Sequence, residues 1–277
     1  VKIVKSFKEL TSIREELPGP VGFVPTMGYL HAGHVSLVRT ARAKNESVIV
    51  SIFVNPTQFA PAEDLQSYPR DLARDAELLE GAGVDLIWTP DEATMYPQGY
   101  QTWVSVEEVT RELEGARRPG HFRGVVTVVA KLFNAVRPDR AYFGQKDAQQ
   151  VVVIRQMVRD LNYPVAIEVC PIVREADGLA LSSRNSYLNP AERQAATVLS
   201  QALNTAEQAF ERGEDDGGVL REVLLGVLNQ EPLARVQYVS VAHPQTLKEL
   251  EGKVDQALIS LAVYVGKTRL IDNVLVG

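Results

Sequence analysis

The chain has 277 residues, 45% of them apolar and 23% charged, with a formal charge of −6. That length buries one large core, or a large and a smaller one, and the composition is that of an ordinary globule rather than a disordered or fibrous chain. A net acidic balance argues against nucleic acid as a partner, a lone Cys170 excludes an intrachain disulfide and any Cys-rich metal site, and no apolar run nears the ~20 residues that span a membrane.

The opening VKIVKSFKEL lacks the long apolar stretch and small-residue cleavage site of a signal peptide, so a cytoplasmic location is expected. Val21 to Val24 reads as a short buried strand. Ala32 to Lys44 fits a helix with Leu37 and Val38 on its inner face. Ser47 to Val54 is a β-branched strand, apolar enough to be covered on both sides. Leu72 to Glu80 is helical, Gly81 to Gly83 a stop, and Val84 to Trp88 a third strand. This alternation favours a parallel sheet with right-handed crossovers. Phe122 to Val136 is apolar throughout. Its length and the Arg137-Pro138 stop favour a helix over a strand. Arg140 to Gly144, Ala148 to Leu161 and Ala166 to Cys170 continue as strand, helix and strand.

Beyond Pro171 the texture changes. READGLALSSRN is polar and turn-rich, and Pro190 to Arg212 reads as one long alanine-rich helix. EDDGG is a break before a helical Val219 to Asn229, and the remaining apolar runs suggest several strands packed by helices. The expected organisation is a parallel-sheet α/β domain over 1–173 and a smaller α+β domain over 174–277.

Only four histidines occur, and two of them, His31 and His34, sit where the first strand turns into the first helix of this series. Gly28 and Gly33 bracket that corner, and glycine tolerates close ligand approach. A helix start presents unpaired N–H groups and a positive dipole end, which suits an anion. Three positions apart, both rings reach one side of that entrance and can donate to phosphate oxygens. Two other readings stand beside this one: a pair that only caps the helix, and two ligands of a metal completed by His121 or a carboxylate.

Neither G-x-G-x-x-G nor G-x-x-x-x-G-K-[ST] is present, which argues against a dinucleotide oxidoreductase or a P-loop enzyme. VNPTQF follows the end of a parallel strand, where open α/β sheets place ligands. Asn55, Thr57 and Gln58 can hydrogen-bond a neutral or carboxylate-bearing substrate, against the plainer reading of an Asn-Pro turn. In GQKDAQQ, Lys146 suits phosphate and Asp147 a ribose hydroxyl, with Gln150 one turn beyond Lys146. A solvated helix cap is the alternative there. Ser182, Ser183 and Arg184 in SSRN suit a polyphosphate clamp or, equally, a capping turn. HFRG, His121 to Gly124, reads more simply as a helix start than as a substrate contact.

Taken together, PTMGYLHAGH, NPTQF, HFRGV, GQKD and SSRN resemble pantothenate synthetases, the pantoate–β-alanine ligases. The resemblance runs through most of residues 20–190 and returns at GKTRLIDN, Gly266 to Asn273. It implies a Rossmann-like nucleotidyltransferase domain followed by a smaller lid domain. The implied activity uses ATP as cosubstrate with Mg2+, forms pantoyl adenylate and pyrophosphate from pantoate, and then lets β-alanine attack to give pantothenate and AMP. A cytoplasmic homodimer is implied as well. By the same resemblance, His31 and His34 bind phosphate, and Pro25, Thr26 and Met27 form a substrate-side loop. Asn55, Gln58 and Gln150 face pantoate. Gly144, Lys146 and Asp147 form a nucleotide segment, and Ser182, Ser183 and Arg184 clamp the polyphosphate. Leu181 stands where methionine is common in the family, and Ala60 where glycine often follows NPTQF.

Such a reaction suits these residues. A carboxylate is a poor acyl donor, and attack on the α-phosphorus of ATP turns its oxygen into part of an AMP leaving group. The substrate is itself the nucleophile, so no Ser or Cys triad is needed. The protein has to align two anions and stabilise charge, a task that fits His31, His34, Lys146 and Arg184. No residue stands out as the general base of the second step or as a metal ligand. A noncatalytic nucleotide-binding module and a nucleotidyltransferase acting on a phosphorylated alcohol are the competing classes.

Overall fold

The computed structural model describes residues 1–61 and 63–277. The chain divides into two compact units, Val1–Gly144 with Gln150–Pro171, and Gln145–Gln149 with Ile172–Gly277. The changeover between Pro171 and Ile172 stands against an expected boundary after residue 173, and the Gln145–Gln149 segment groups with the second unit.

Six parallel strands build the first unit: β1 (Lys2–Val4), β2 (Val21–Thr26), β3 (Ser47–Ile52), β4 (Leu86–Trp88), β5 (Arg140–Gly144) and β6 (Ala166–Cys170). They lie in the order β1-β4-β3-β2-β5-β6. The helices between them are α1 (Phe7–Glu16), α2 (Ala32–Lys44), α3 (Leu72–Gly81), the short α4 (Glu92–Met95) and α5 (Leu113–Arg117), then α6 (His121–Val136) and α7 (Ala148–Asp160). Alternation along the strands sends side chains to two apolar layers. Val24, Val48, Val50, Ile87 and Tyr142 pack with Leu37, Val38 and Ala41 of α2 and Leu79 of α3. On the other face Phe23 and Phe143 meet Phe133 of α6 edge to face, each with ring centroids 6.5 Å apart. Both faces are covered, which is why Val48, Ile49 and Val50 of β3 form an unbroken apolar run flanked by the buried Ser47 and Ser51.

Helix α6 forms despite its valines because Val125, Val126, Val128, Val129 and Val136 are all buried, along with its other apolar residues. It starts after Gly120 at φ 82 and ends at Arg137, left-handed at φ 48, directly before Pro138. Proline disfavours a right-handed helical residue before it, so the stop is steric. After β2 the chain moves outward through β3 and β4, then returns to lay β5 on the other side of β2. The order therefore reverses between β2 and β5, and open sheets of this kind bind ligands beyond the strand C-termini at that reversal. Thr26 closes β2 and leads to Met27–His34, Ile52 closes β3 and leads to NPTQF, and Gly144 closes β5.

The second unit holds α8 (Pro190–Ala195), α9 (Val198–Glu211) and α10 (Gly217–Leu228), with an antiparallel sheet of β7 (Ala234–Ala242), β8 (Ala257–Val265) and β9 (Thr268–Val276) in the order β7-β8-β9. Leu199, Ala202, Leu203 and Ala206 of α9 and Leu220, Leu224 and Leu228 of α10 pack on Ile259, Leu261 and Val263 of β8. The single helix expected over Pro190 to Arg212 is two helices. Around Ala196 and Thr197 the bonds tighten to a three-residue spacing, Thr197 N to Gln194 O and Leu199 N to Ala196 O, at 3.2 Å each. The Thr197 hydroxyl donates to the same Gln194 carbonyl at 2.8 Å, competing with the backbone as mid-helix threonines do. Strand β1 and helix α1 also lie outside the sequence-based elements.

Candidate active site

The turn from β2 into α2 is built around the histidines. His31 is the N-cap of α2, with Nδ1 accepting from the Gly33 N–H at 3.2 Å. His34 reaches back, its Nδ1 accepting from the His31 N–H at 3.3 Å. The pair is thus a capping box in which two imidazoles replace the usual hydroxyl and carboxylate. With Nδ1 an acceptor on each ring, the neutral tautomer carries its proton on Nε2. Ring centroids lie 4.0 Å apart at a tilt of 43°, so the two imidazoles pack against each other. Both rings cap the helix through Nδ1, which leaves Nε2 as the donor atom of each neutral ring. Among the described residues no group of three or more His, Cys, Asp or Glu side chains gathers to hold a metal.

The loop before His31 is held from α3. Gly28 and Tyr29 both adopt left-handed backbone, φ 84 and φ 50. Tyr29 incurs a steric penalty there that glycine does not. Asp75, 1% exposed, receives the Tyr29 and Leu30 N–H groups on its two oxygens at 2.7 Å each. Burial pushes its carboxyl up, against the pull of those two N–H groups. A Cβ at Gly28 would lie 3.0 Å from Ile52 Cγ2 and 3.2 Å from Asp75 Oδ2, so this corner is tight. Thr26 donates its hydroxyl to Ser51 O at 2.8 Å and accepts from the Gly28 N–H at 3.3 Å. Pro25 occupies β2 opposite Ser51.

The NPTQ turn after β3 is organised by Asn55, 1% exposed. Its Nδ2 donates to Gln58 Oε1 at 3.0 Å and to Gly124 O at 3.2 Å. Its Oδ1 accepts from the hydroxyls of Thr57 and Tyr96, each at 2.9 Å. Burial pushes the Tyr96 phenol up to about 12, keeping it a donor. The Gln58 amide donates to Met27 Sδ at 3.2 Å, which brings the end of the β2 loop against the NPTQ turn. Met27 of the expected substrate-side loop and Asn55 and Gln58 of the expected pantoate-facing set are therefore one contact set. Gln150 lies on the first turn of α7, half-buried.

The HFRG segment does more than start α6. His121 Nδ1 donates to the Gln58 carbonyl at 2.8 Å, and its Nε2 accepts from Arg118 Nη1 at 3.1 Å. Burial, reinforced by the Arg118 charge, lowers the His121 pKa to about 4, so the ring is neutral near pH 7. Arg118 forks onto Glu63 through Nε at 2.6 Å and Nη2 at 2.7 Å. Burial raises the Glu63 carboxyl, but the Arg118 bonds outweigh it and leave it below the ordinary value. A Cβ at Gly124 would lie 2.3 Å from the Thr57 carbonyl oxygen, so only glycine lets α6 approach the turn this closely.

In the second unit, Lys146 Nζ lies 3.8 Å from Asp147 Oδ1. Asn273, on β9, donates its amide to the carbonyls of Gln145 and Lys146 at 3.0 Å each. Gln145 returns a bond to Asn273 Oδ1 at 3.0 Å. Ser182 caps the short turn of Ser183–Tyr187 by accepting from the Arg184 N–H at 3.3 Å. Asn185 fastens that turn by donating to Ala180 O at 3.1 Å. Gly144 closes β5 with nothing within 4 Å of a would-be Cβ, leaving its backbone approachable. Asp75 and Arg118 were missed from sequence, and Asn273 was noted only as the last residue of GKTRLIDN, without a role. Each stands beside a charged residue in sequence, and the contacts that bear on the site, to Tyr29 and Leu30, to Glu63, and to Gln145 and Lys146, are far along the chain.

A family model described as pantoate-beta-alanine ligase matches residues 2–275. A pantothenate synthetase of Roseiflexus sp. (strain RS-1) is 59% identical over 273 residues, covering 99% of this chain and 98% of the relative. The crystal structure of pantothenate synthetase from Thermus thermophilus superposes with a TM-score of 0.95 at 49% identity, covering 99% of both chains. A pantoate-beta-alanine ligase from Francisella tularensis, solved in complex with β-γ ATP and β-alanine, gives a TM-score of 0.81 at 38% identity over 99% of this chain and 97% of that one. With the whole chain matched and the motif residues set in ordered turns, the chain belongs to the pantoate–β-alanine ligase family.

Proposed function

We infer that the residues described above divide into an acid-substrate group and a nucleotide group serving one ligase reaction. That reaction, which family membership supplies, is the ATP-dependent condensation of pantoate with β-alanine through pantoyl adenylate. In the acid-substrate group, Gln58 and Gln150 hold pantoate through amides that do not titrate usefully near neutrality. Met27 lines the same side. Asn55 contributes mainly by fixing Gln58, since its own amide atoms already bond to Gln58, Gly124 and Tyr96.

In the nucleotide group, His31 and His34 donate through Nε2 to phosphate oxygens at the α2 N-terminus. The observation that carries this role is the capping box, which uses Nδ1 of both rings and sets their tautomer. Pre-oriented donors cost no reorganisation when charge develops on the phosphoryl oxygens. Pro25, Thr26 and Met27 shape the loop against the nucleotide, and Gly144 leaves its backbone open to it. Lys146 compensates phosphate charge, Asp147 accepts from a ribose hydroxyl, and Ser182, Ser183 and Arg184 bind the polyphosphate. Mg2+ supplies screening of the triphosphate. The residues assigned to phosphate, His31, His34, Lys146 and Arg184, would share that charge with the ion.

The assembly adopted from the family resemblance is a homodimer, which sedimentation over a range of concentrations tests, and the adopted location is the cytoplasm, which cell fractionation tests. The activity test uses labelled ATP and pantoate, with and without β-alanine. Pantoate-dependent pyrophosphate exchange, followed by β-alanine-dependent pantothenate, is the expected outcome. ATP binding without exchange would indicate a nucleotide-binding module instead, and transfer of AMP to a phosphorylated alcohol a different nucleotidyltransferase.

A further inference from the structure

Two consecutive residues of β9 reach two separate segments. Asp272 pairs with Leu261 across the β8–β9 ladder and Asn273 with Ser260, so their side chains leave on opposite faces of the sheet. Both are buried, at 2% and 3% exposure. Asn273 commits its amide to the Gln145–Lys146 segment, with two donated bonds and one accepted, all at 3.0 Å. Asp272 takes the Arg174 fork, Nη1 at 2.5 Å and Nη2 at 3.0 Å, and also accepts from the Asn273 N–H at 2.8 Å. Arg174 in turn donates to Gly178 O at 3.1 Å. It belongs to a small antiparallel turn: Arg174 bridges Ala180, and the Leu181 N–H donates to Val173 O at 3.0 Å. That turn runs directly into Ser182.

We propose that the Asp272–Asn273 pair is a positioning element for the nucleotide group, Asn273 setting the backbone that carries Lys146 and Asp272, through Arg174, setting the turn that carries Ser182 to Arg184. The proposal rests on the assignment of Lys146 and Arg184 to phosphate. Lys146 is a flexible four-carbon stem whose reach depends on where its backbone is anchored. Three hydrogen bonds from one buried amide anchor it at both the preceding residue and itself. A long, mobile cation is thereby launched from a rigid base, and a misplaced base costs productive geometry.

The test measures ATP and pantoate binding separately, and single-turnover pyrophosphate release, for Asn273→Leu, Lys146→Ala and the double variant. Asn273→Leu keeps the side-chain size and removes the amide; Asn273→Ser, too short to reach both carbonyls, serves if the leucine variant does not fold. Asn273→Leu is expected to weaken ATP binding by roughly 10-fold, with pantoate binding within about 2-fold of the parent. In the Lys146→Ala background the same change should add less than about 2-fold, because residues acting through one another are not additive. An equal loss for both substrates, or a full effect persisting without Lys146, means a structural role only and overturns the proposal. A folded Asn273 variant with parent ATP affinity, alongside a defective Lys146→Ala, overturns it while leaving the Lys146 assignment intact. Parent affinity in Lys146→Ala itself overturns both.

Discussion

Replacing Asp75 by asparagine probes the histidine turn from behind, since Asp75 belongs to α3 and holds the Tyr29 and Leu30 backbone, with Arg74 Nη1 3.9 Å from its Oδ1. The change preserves shape. One carboxylate oxygen becomes an amide nitrogen and meets an N–H donor that lay 2.7 Å from it, donor against donor. Losing one charge-assisted bond costs about 1.5–3 kcal/mol, and a buried N–H left without an acceptor adds about 1–3 kcal/mol. Part returns, because burial already penalises the ionised carboxyl and the amide carries no charge. A net loss of about 2 kcal/mol follows, unless the left-handed Gly28–Tyr29 backbone relaxes and moves His31. Relaxation would appear in the chemistry, where a displacement near 1 Å costs up to about 10²-fold. Urea unfolding reads the first cost, and single-turnover pyrophosphate release with saturating pantoate and Mg·ATP reads the second. A folded Asp75→Asn protein with both parent stability and parent rate would refute the anchoring role.

His34→Ala should lower adenylate formation by roughly 10²–10³-fold, the scale of a lost oxyanion donor, and a folded variant with parent pyrophosphate release would remove His34 from the chemistry. Lys146→Ala should weaken ATP binding, whereas Gln58→Ala should weaken pantoate binding and spare ATP. Separate titrations with each substrate check the split, and the reverse pattern for Gln58 would reverse the substrate assignment. His121 titrates at about 4 in the folded chain against 6.5 ordinarily, so the unfolded state takes up its proton first as pH falls. Its contribution is therefore fully retained above pH 6.5 and is lost as pH drops toward 4. Unfolding free energies of parent and His121→Gln across that window should converge as pH falls, and a constant difference would contradict the depressed value.

Much of the first unit was legible because its signals are local. Helix α2 over Ala32–Lys44 and strands β5 and β6 coincide with the sequence-based spans, since glycine, proline and charged residues punctuate them. The motif residues His31, Asn55, Gln58 and Lys146 follow strand C-termini for the same reason. Strand β1 is three residues long, too short for a periodic signal. Helix α1 did carry one: the Ser6–Glu9 capping box, with the Glu9 N–H donating to Ser6 Oγ at 3.2 Å and the Ser6 N–H to Glu9 Oε2 at 3.0 Å. The break between α8 and α9 falls at Ala196 and Thr197 in an alanine-rich run whose propensity favours continuity. The supports of the site were illegible because they act at a distance: Asp75 meets Leu30 across 45 positions and Asn273 meets Lys146 across 127. Nothing local marks an aspartate in a helix or an asparagine in a strand as the holder of a remote turn.

The central claim is that pantoate's carboxylate acquires AMP before the amine arrives, and the fate of one oxygen tests it most directly. With pantoate labelled in its carboxylate oxygens, Mg·ATP and β-alanine, the expected result is one labelled oxygen in AMP for each pantothenate formed. Rapid quenching before β-alanine is added should trap pantoyl adenylate with a matching amount of pyrophosphate. Efficient pantothenate formation with unlabelled AMP, or with the label in inorganic phosphate and ADP as the nucleotide product, would contradict adenylate activation.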